Sequence, residues 1–154
     1  MDSLTDAGIA NLQHLTKLKK LGVAWNDIIT GSTFDMLPMN LEELKLIGMM
    51  YLTDAGIANL QQLTNLRKLK IERSSTSITG STFYLLPSSL EELILIRVSF
   101  VTDAGIANLQ HLTNLKTLHI ESYDLLTNLA FHSLPTSILK VLKVRNCESV
   151  NESQ

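Results

Sequence analysis

"TDAGIANLQQLTNLRKLKI", Thr53 to Ile71, holds two hydrophobic rhythms back to back. Ile57, Leu60 and Leu63 recur every three residues, the spacing of an inward helix face, and Thr53 offers a hydroxyl to cap its start. The closing K-L-K-I alternates with a period of two, as a strand with one buried face does. Neither a short helix nor a short strand can bury its apolar side alone. The stretch therefore needs copies of itself to pack against.

The copies exist. The first fourteen residues return almost unchanged at Thr5–Leu18 and Thr102–Leu115, and the last two copies differ only at Gln62 against His111. The pattern LxxLxL occurs six times: Leu18/Leu21/Val23, Leu41/Leu44/Leu46, Leu66/Leu69/Ile71, Leu90/Leu93/Leu95, Leu115/Leu118/Ile120 and Leu139/Leu142/Val144. Its first positions are 23, 25, 24, 25 and 24 residues apart. Between the DAGIANL copies stand TGSTFDMLPMNL, TGSTFYLLPSSL and, more loosely, TNLAFHSLPTSIL. In these, Phe34, Phe83 and Phe131 supply the bulky helix residue, and Pro38, Pro87 and Pro135 mark the helix exit. The repeating unit is a pair of about 48–49 residues, present three times. Stacked in parallel, six strand–helix repeats predict an α/β solenoid over residues 1–154, a single domain with its strands on the concave face of a curved horseshoe.

The six LxxLxL blocks resemble leucine-rich repeats. The LTDAGIANL half is similar to the cysteine-containing subclass, known from ubiquitin-ligase adaptors and from bacteria. The F-x-x-LP-x-SL half resembles proline-marked repeats of bacterial effectors and some amoebal proteins. The resemblance implies a non-enzymatic protein-binding module, with a bacterial effector acting on host proteins as one specific form. It also implies an Asn or Cys three residues after each LxxLxL, bonded to loop backbone. That slot holds Asn26, Met49, Ser74, Val98, Tyr123 and Cys147, so the ladder is expected to be mostly missing.

Bulk properties exclude several classes. Net charge is −2, and aromatics make up 5% of the 154 residues. The single cysteine, Cys147, allows neither an internal disulfide nor a multi-cysteine metal site. The first residues, MDSLTDAG, lack the basic flank and apolar run of a cleavable signal, and no apolar run reaches membrane-spanning length. An intracellular, cytoplasmic protein is the expectation, or one delivered to a host cytosol without a cleaved signal. Asn151–Ser153 matches a glycosylation tripeptide, read as coincidence in that setting.

Catalytic candidates are weak. His14, Gln62 and His111 share one slot, and their interchange argues for a solvated position. His119, Glu121 and Ser122 sit close in sequence, without an identifiable oxyanion donor set. His132 stands beside Phe131 and reads as structural or exposed. Asp6, Asp54 and Asp103 lie two repeats apart, roughly 10 Å at strand spacing, and suit helix starts better than a shared metal. No catalytic residue, metal or cofactor is predicted.

Function is expected where the repeats differ. The five x positions of L-x-x-L-x-L-x-x carry twelve of the thirteen lysines and arginines but six of the fifteen acids, a net +6 against −8 for the remainder. The first two outward positions alternate in sign: Lys19-Lys20, Glu42-Glu43, Arg67-Lys68, Glu91-Glu92, then Lys116 and Lys140. They are expected to pair across strands. The other outward positions supply the binding candidates: Trp25, Lys45, Ile47, Lys70, Glu72, Arg73, Ile94, Ile96, Arg97, His119, Glu121, Lys143 and Arg145. Isoleucines among basic residues suit a protein partner of acidic or mixed charge. Nucleic acid is disfavoured, because few aromatics accompany the basic residues to stack bases. Self-association through the solenoid ends, as a structural repeat unit, is the competing expectation.

Overall fold

The computed structural model describes residues 3–74, 77–121, 125–135 and 139–145. Six strands, β1 (Lys20–Ala24), β2 (Glu43–Ile47), β3 (Lys68–Glu72), β4 (Glu92–Ile96), β5 (Thr117–Glu121) and β6 (Val141–Arg145), form one sheet in chain order. Every neighbouring pair is parallel and in the same register. The second leucines of the motif, Leu21 through Leu142, therefore fall in one row, and Val23 through Val144 in the next. From β2 to β5 both rows are 0–1% exposed, so the motif residues form one continuous core with the elements behind the sheet. This is the α/β architecture of a leucine-rich-repeat solenoid.

Behind the sheet, the odd repeats form α1 (Asp6–Ala10), α2 (Asp54–Ala58) and α3 (Asp103–Ala107). Their starts are capped as expected: the hydroxyls of Thr5, Thr53 and Thr102 accept from the amides of Gly8, Gly56 and Gly105 at 3.3, 3.0 and 3.1 Å. The even repeats depart from the expected helix. They form only 3-10 turns at Phe34–Met36, Phe83–Leu85 and Asn128–Phe131. In the first two of these, proline holds the preceding Leu37 and Leu86 extended, at ψ 150° and 144°. Upstream, Gly31 and Gly80 take φ values of 88° and 87°, so no helix extends back to the threonine. Phe34 and Phe83 are buried, whereas in the sixth repeat Ala130 takes the deep position and Phe131 is half-buried.

The repeated aspartates do more than start helices. Asp6 accepts from the Thr30 amide at 3.0 Å, the Thr30 hydroxyl at 2.8 Å and the Gly31 amide at 3.0 Å, all in the next repeat. Asp54 makes the same clasp on Thr79 and Gly80, and Asp103 holds the amide and hydroxyl of Thr127. Burial alone would push the Asp6 carboxyl up, but the Thr30 and Gly31 hydrogen bonds outweigh it and hold it below its ordinary value. The phrase's asparagines reach the other way. Asn59 donates to the Gly31 carbonyl at 3.0 Å and Asn108 to that of Gly80 at 3.0 Å, while Asn65 and Asn114 donate to Met39 and Ser88.

Between clasps, backbone meets backbone. A Cβ on Gly56 would lie 2.1 Å from the Thr30 carbonyl oxygen, and one on Gly105 2.3 Å from that of Thr79. At the corresponding Gly8 an added Cβ would meet the flexible Leu4 side chain at 2.8 Å and the Thr5 hydroxyl at 3.9 Å. The first copy buries Ile9 like its counterparts but leaves Leu15 40% exposed, where Leu63 and Leu112 are at most 1%. The inward expectation fails for Leu15 because, among the described residues, no turn stacks against it.

Two outcomes follow for stability. Gly56→Ala is expected to destabilise by several kcal/mol, in the upper range for overpacking and strain. Gly8→Ala is expected to change stability by about 1 kcal/mol or less, since a helical alanine offsets the shift of a flexible leucine. Denaturant titration of both variants checks this. Asp6→Asn is expected to cost about 1–2 kcal/mol at pH 7, because its NH2 would face an amide donor. Since the folded Asp6 pKa is depressed, its contribution is present above the unfolded carboxyl pKa near ~4 and fades as pH falls through the lower folded value. The gap between parent and variant should therefore narrow on acidification from pH 5 to pH 2.

Candidate functional site

The common register lays the outward side chains in rows across the strands. In the two rows at the strand entrances, opposite charges alternate and pair. Lys19 meets Glu42 at 2.8 Å, and the Arg67 Nη2 reaches both carboxylate oxygens of Glu91 at 3.0 Å. Lys116 approaches Glu91 from the other side at 3.4 Å. In the second row Glu43 lies between Lys20 and Lys68, at 3.5 and 3.6 Å, and Lys68 also stands 3.8 Å from Glu92. The hydrogen bond and charge of Lys19 hold the Glu42 carboxyl below its ordinary value. The Arg67 hydrogen bond does the same for Glu91, against a smaller opposing effect of burial. Exposed pairs of this kind add little stability, but alternation spares the register from stacked like charges.

The next two rows contain most of the predicted binding residues. By register, one reads Gly22, Lys45, Lys70, Ile94, His119, Lys143, and the other Ala24, Ile47, Glu72, Ile96, Glu121, Arg145. Their acids are engaged: Lys70 lies 2.9 Å from Glu72, with Arg73 at 3.8 Å, and the His119 Nε2 lies 3.3 Å from Glu121. That shielded nitrogen makes no well-directed hydrogen bond among the described residues. Ile47 and Ile96 flank Glu72 across the strands, and both are half-buried, as is Ile94. Among the described residues, Lys45, Arg97, Lys140 and Lys143 have no ion pair. Lys45 and Arg97 thus leave positive charge beside Ile47 and Ile96, while Lys140 and Lys143 stand at the last strand.

At the strand exits stands a fifth row with an unusual backbone. Trp25, Gly48, Arg73 and Arg97 have φ values of 56°, 66°, 50° and 53°, in the left-handed region. Each amide still extends the ladder, donating to Ile47, Glu72, Ile96 and Glu121 at 2.7–2.9 Å. The Trp25 ring covers Gly48, where an added Cβ would sit 2.4 Å from the ring, and the Arg73 guanidinium lies 5.8 Å from the ring centroid. Trp25 remains 68% exposed. Sequence reading placed these residues on the face but missed their conformation. The available signal was the glycine that fills the slot in one repeat.

The thirteen candidates thus share one face without forming one cluster. Lys70, Glu72 and Arg73 group together, Trp25 joins them through Arg73, His119 and Glu121 pair, and Lys45, Arg97 and Lys143 stand apart. In the loop slot, Asn26 accepts from Ile28 and Ile29 and donates to Leu4, while Met49 and Val98 are simply buried. Tyr123 and Cys147 lie outside the described residues, as do Ser122 and Asn151–Ser153.

Elsewhere the histidine reading needs correction at one position. His14 and Gln62 are exposed, but His111 is half-buried, with its ring nitrogens 3.0 Å from the Asn108 carbonyl and 2.9 Å from that of Leu86. It bridges two repeats, because an even-repeat loop lies within reach of its ring. His132 is exposed. Among the described residues, no three His, Cys, Asp or Glu are grouped to hold a metal, and no helix is long and apolar enough to cross a membrane.

No protein-family model matches the chain, and no curated protein matches it. Among solved structures, it is similar to a crystal structure of an internalin from Listeria monocytogenes, with 21% sequence identity and a TM-score of 0.45. The alignment covers 88% of this chain and 50% of that one, so the chain spans about half the length of that structure.

Proposed function

We propose that the chain is a non-enzymatic recognition unit, one leucine-rich-repeat domain over residues 1–154, that holds a protein partner of acidic or mixed charge on the outward face of its sheet. One observation carries the reading. In the entrance rows nearly every charge has a neighbour of opposite sign, whereas Lys45, Arg97 and Lys143 lack one among the described residues, and Lys45 and Arg97 lie next to the half-buried Ile47 and Ile96. Folding requires neither feature. Together they provide charge steering and apolar contact on the same surface. A narrower form, an effector acting on host proteins, rests on the style of the proline-marked repeats.

The double variant Lys45→Glu, Lys143→Glu tests the reading. It should keep the parent's melting temperature to within a few degrees, since a carboxylate at position 45 faces Lys70 across the register. Capture of native or host-lysate proteins on the immobilised chain should fall at least tenfold. Equal capture by parent and variant would refute binding on this face.

A second reading, end-to-end stacking of copies, draws on the exposed Leu4 and Leu15 at one end and Val141 and Leu142 at the other. Such stacking would bring the positively charged Lys140 toward Lys19. It should therefore strengthen with added salt. Light scattering over a concentration series at low and high salt decides: constant monomer mass at both removes this reading.

A further inference from the structure

We propose that His111 is a pH-responsive clip between the fourth and fifth repeats, closed by the imidazolium form of its ring and opened when the ring is neutral. The inference is independent of what the sheet face binds.

Geometry carries it. One ring nitrogen of His111 lies 3.0 Å from the Asn108 carbonyl oxygen, three residues back. The other lies 2.9 Å from the Leu86 carbonyl oxygen, in the loop of the preceding repeat. Both partners are carbonyl oxygens, which only accept. A neutral imidazole has one N–H, so it satisfies one carbonyl and turns a ring lone pair on the other. The imidazolium has two, and only this form donates to both. Among the described residues no backbone amide donates to either oxygen. The ring is half-buried, so solvent replaces a lost bond incompletely. The bridge is particular to this copy, since His14 and Gln62 hold the same slot after α1 and α2 and are exposed.

The surroundings leave the ring proton as the charge that changes. His111 and Leu86 border an open cleft of about 480 Å³, whose lining includes Gln61, Thr64, Ser88 and Asn114. Among the described residues the cleft holds no acid, lysine or arginine, and Tyr84 is its other titratable side chain. On the neighbouring elements, the turn Asn59–Gln62 after α2 carries no titratable group. On α3, Asp103 is engaged by Thr127 of the sixth repeat, and Lys116 beyond it approaches Glu91. His132, after the turn Asn128–Phe131, is exposed.

In the folded chain the charged ring makes one hydrogen bond more than the neutral ring, and unfolding abolishes that difference. Protonation of His111 therefore favours the folded chain. Its added stability is fully present below the unfolded histidine value near ~6.5 and is lost as rising pH strips the proton from the folded ring.

The experiment compares the whole chain with His111→Gln, which places in this slot the residue found after α2, by urea titration at pH 5.5 and pH 8.5. His14, His119 and His132 are common to both proteins, so their titration cancels in the difference. The folding equilibrium constant of the parent relative to the variant should be roughly fivefold larger at pH 5.5 than at pH 8.5. An equal ratio at the two pH values, or a larger one at pH 8.5, overturns the proposal. A second measurement needs no variant: NMR of the parent labelled with nitrogen-15 histidine, the His111 ring being assigned by its proximity to Asn108 and Leu86. That ring should show two protected N–H signals at pH 5.5 and one at pH 8.5. A single protected N–H, or none, at pH 5.5 overturns the clip.

Discussion

The spacing between neighbouring strands governs everything else in this chain. Parallel strands stand about 4.8 Å apart, whereas a helix with its side chains is about 10 Å wide. Six helices cannot stack behind six strands at the sheet's own pitch. Alternation eases the mismatch: α1, α2 and α3 are separated by slim 3-10 turns, so each helix has about two strand spacings to occupy. Gly56 against Thr30 and Gly105 against Thr79 close the remaining gap, with no room for a side chain. The aspartate clasps lock that approach by filling the hydrogen-bonding needs of turns that could not otherwise sit so close.

The same pitch organises the outward face. Parallel register brings equivalent positions side by side, so any charge repeated from copy to copy would meet itself across the ladder. Through the first five repeats the entrance rows avoid this by alternating sign, and only Lys116 and Lys140 repeat a charge. The exit row does not alternate, and it also keeps side chains on a backbone that suits glycine. Both departures are local and leave the ladder intact, since the same residues still donate their amides to the next strand.

Much of this organisation is legible in the letters. A period of two in K-L-K-I gives the buried row, threonine before Asp-Ala-Gly gives the cap, and proline after leucine marks where helical geometry must stop. The close approach at Gly56 also follows from a residue without a side chain recurring beside a turn. Other features were hidden for physical reasons. Asp54 beside a helix start looks like a dipole partner, and only the stacked neighbour reveals that its oxygens bond Thr79 and Gly80. The even repeats carry helix-compatible residues, so the restriction imposed jointly by Gly31 and Pro38 emerged only with backbone angles. The left-handed slots are hidden by Trp25, Arg73 and Arg97, residues that seldom adopt such angles. His111 misled because the same slot in other copies faces solvent.

The backbone contact between Gly31 and Gly56 has a consequence for how such a chain can change length. An odd turn brings the aspartate clasp and the glycine of its helix, and an even turn brings the threonine, followed by glycine in the first two pairs, that receives them. Inserting one turn would set two helices, or two receiving loops, against each other at a pitch neither tolerates. Inserting a pair restores every contact at both new junctions. The packing therefore favours gain or loss of turns in pairs, and a single inserted turn would break the contact at its junction.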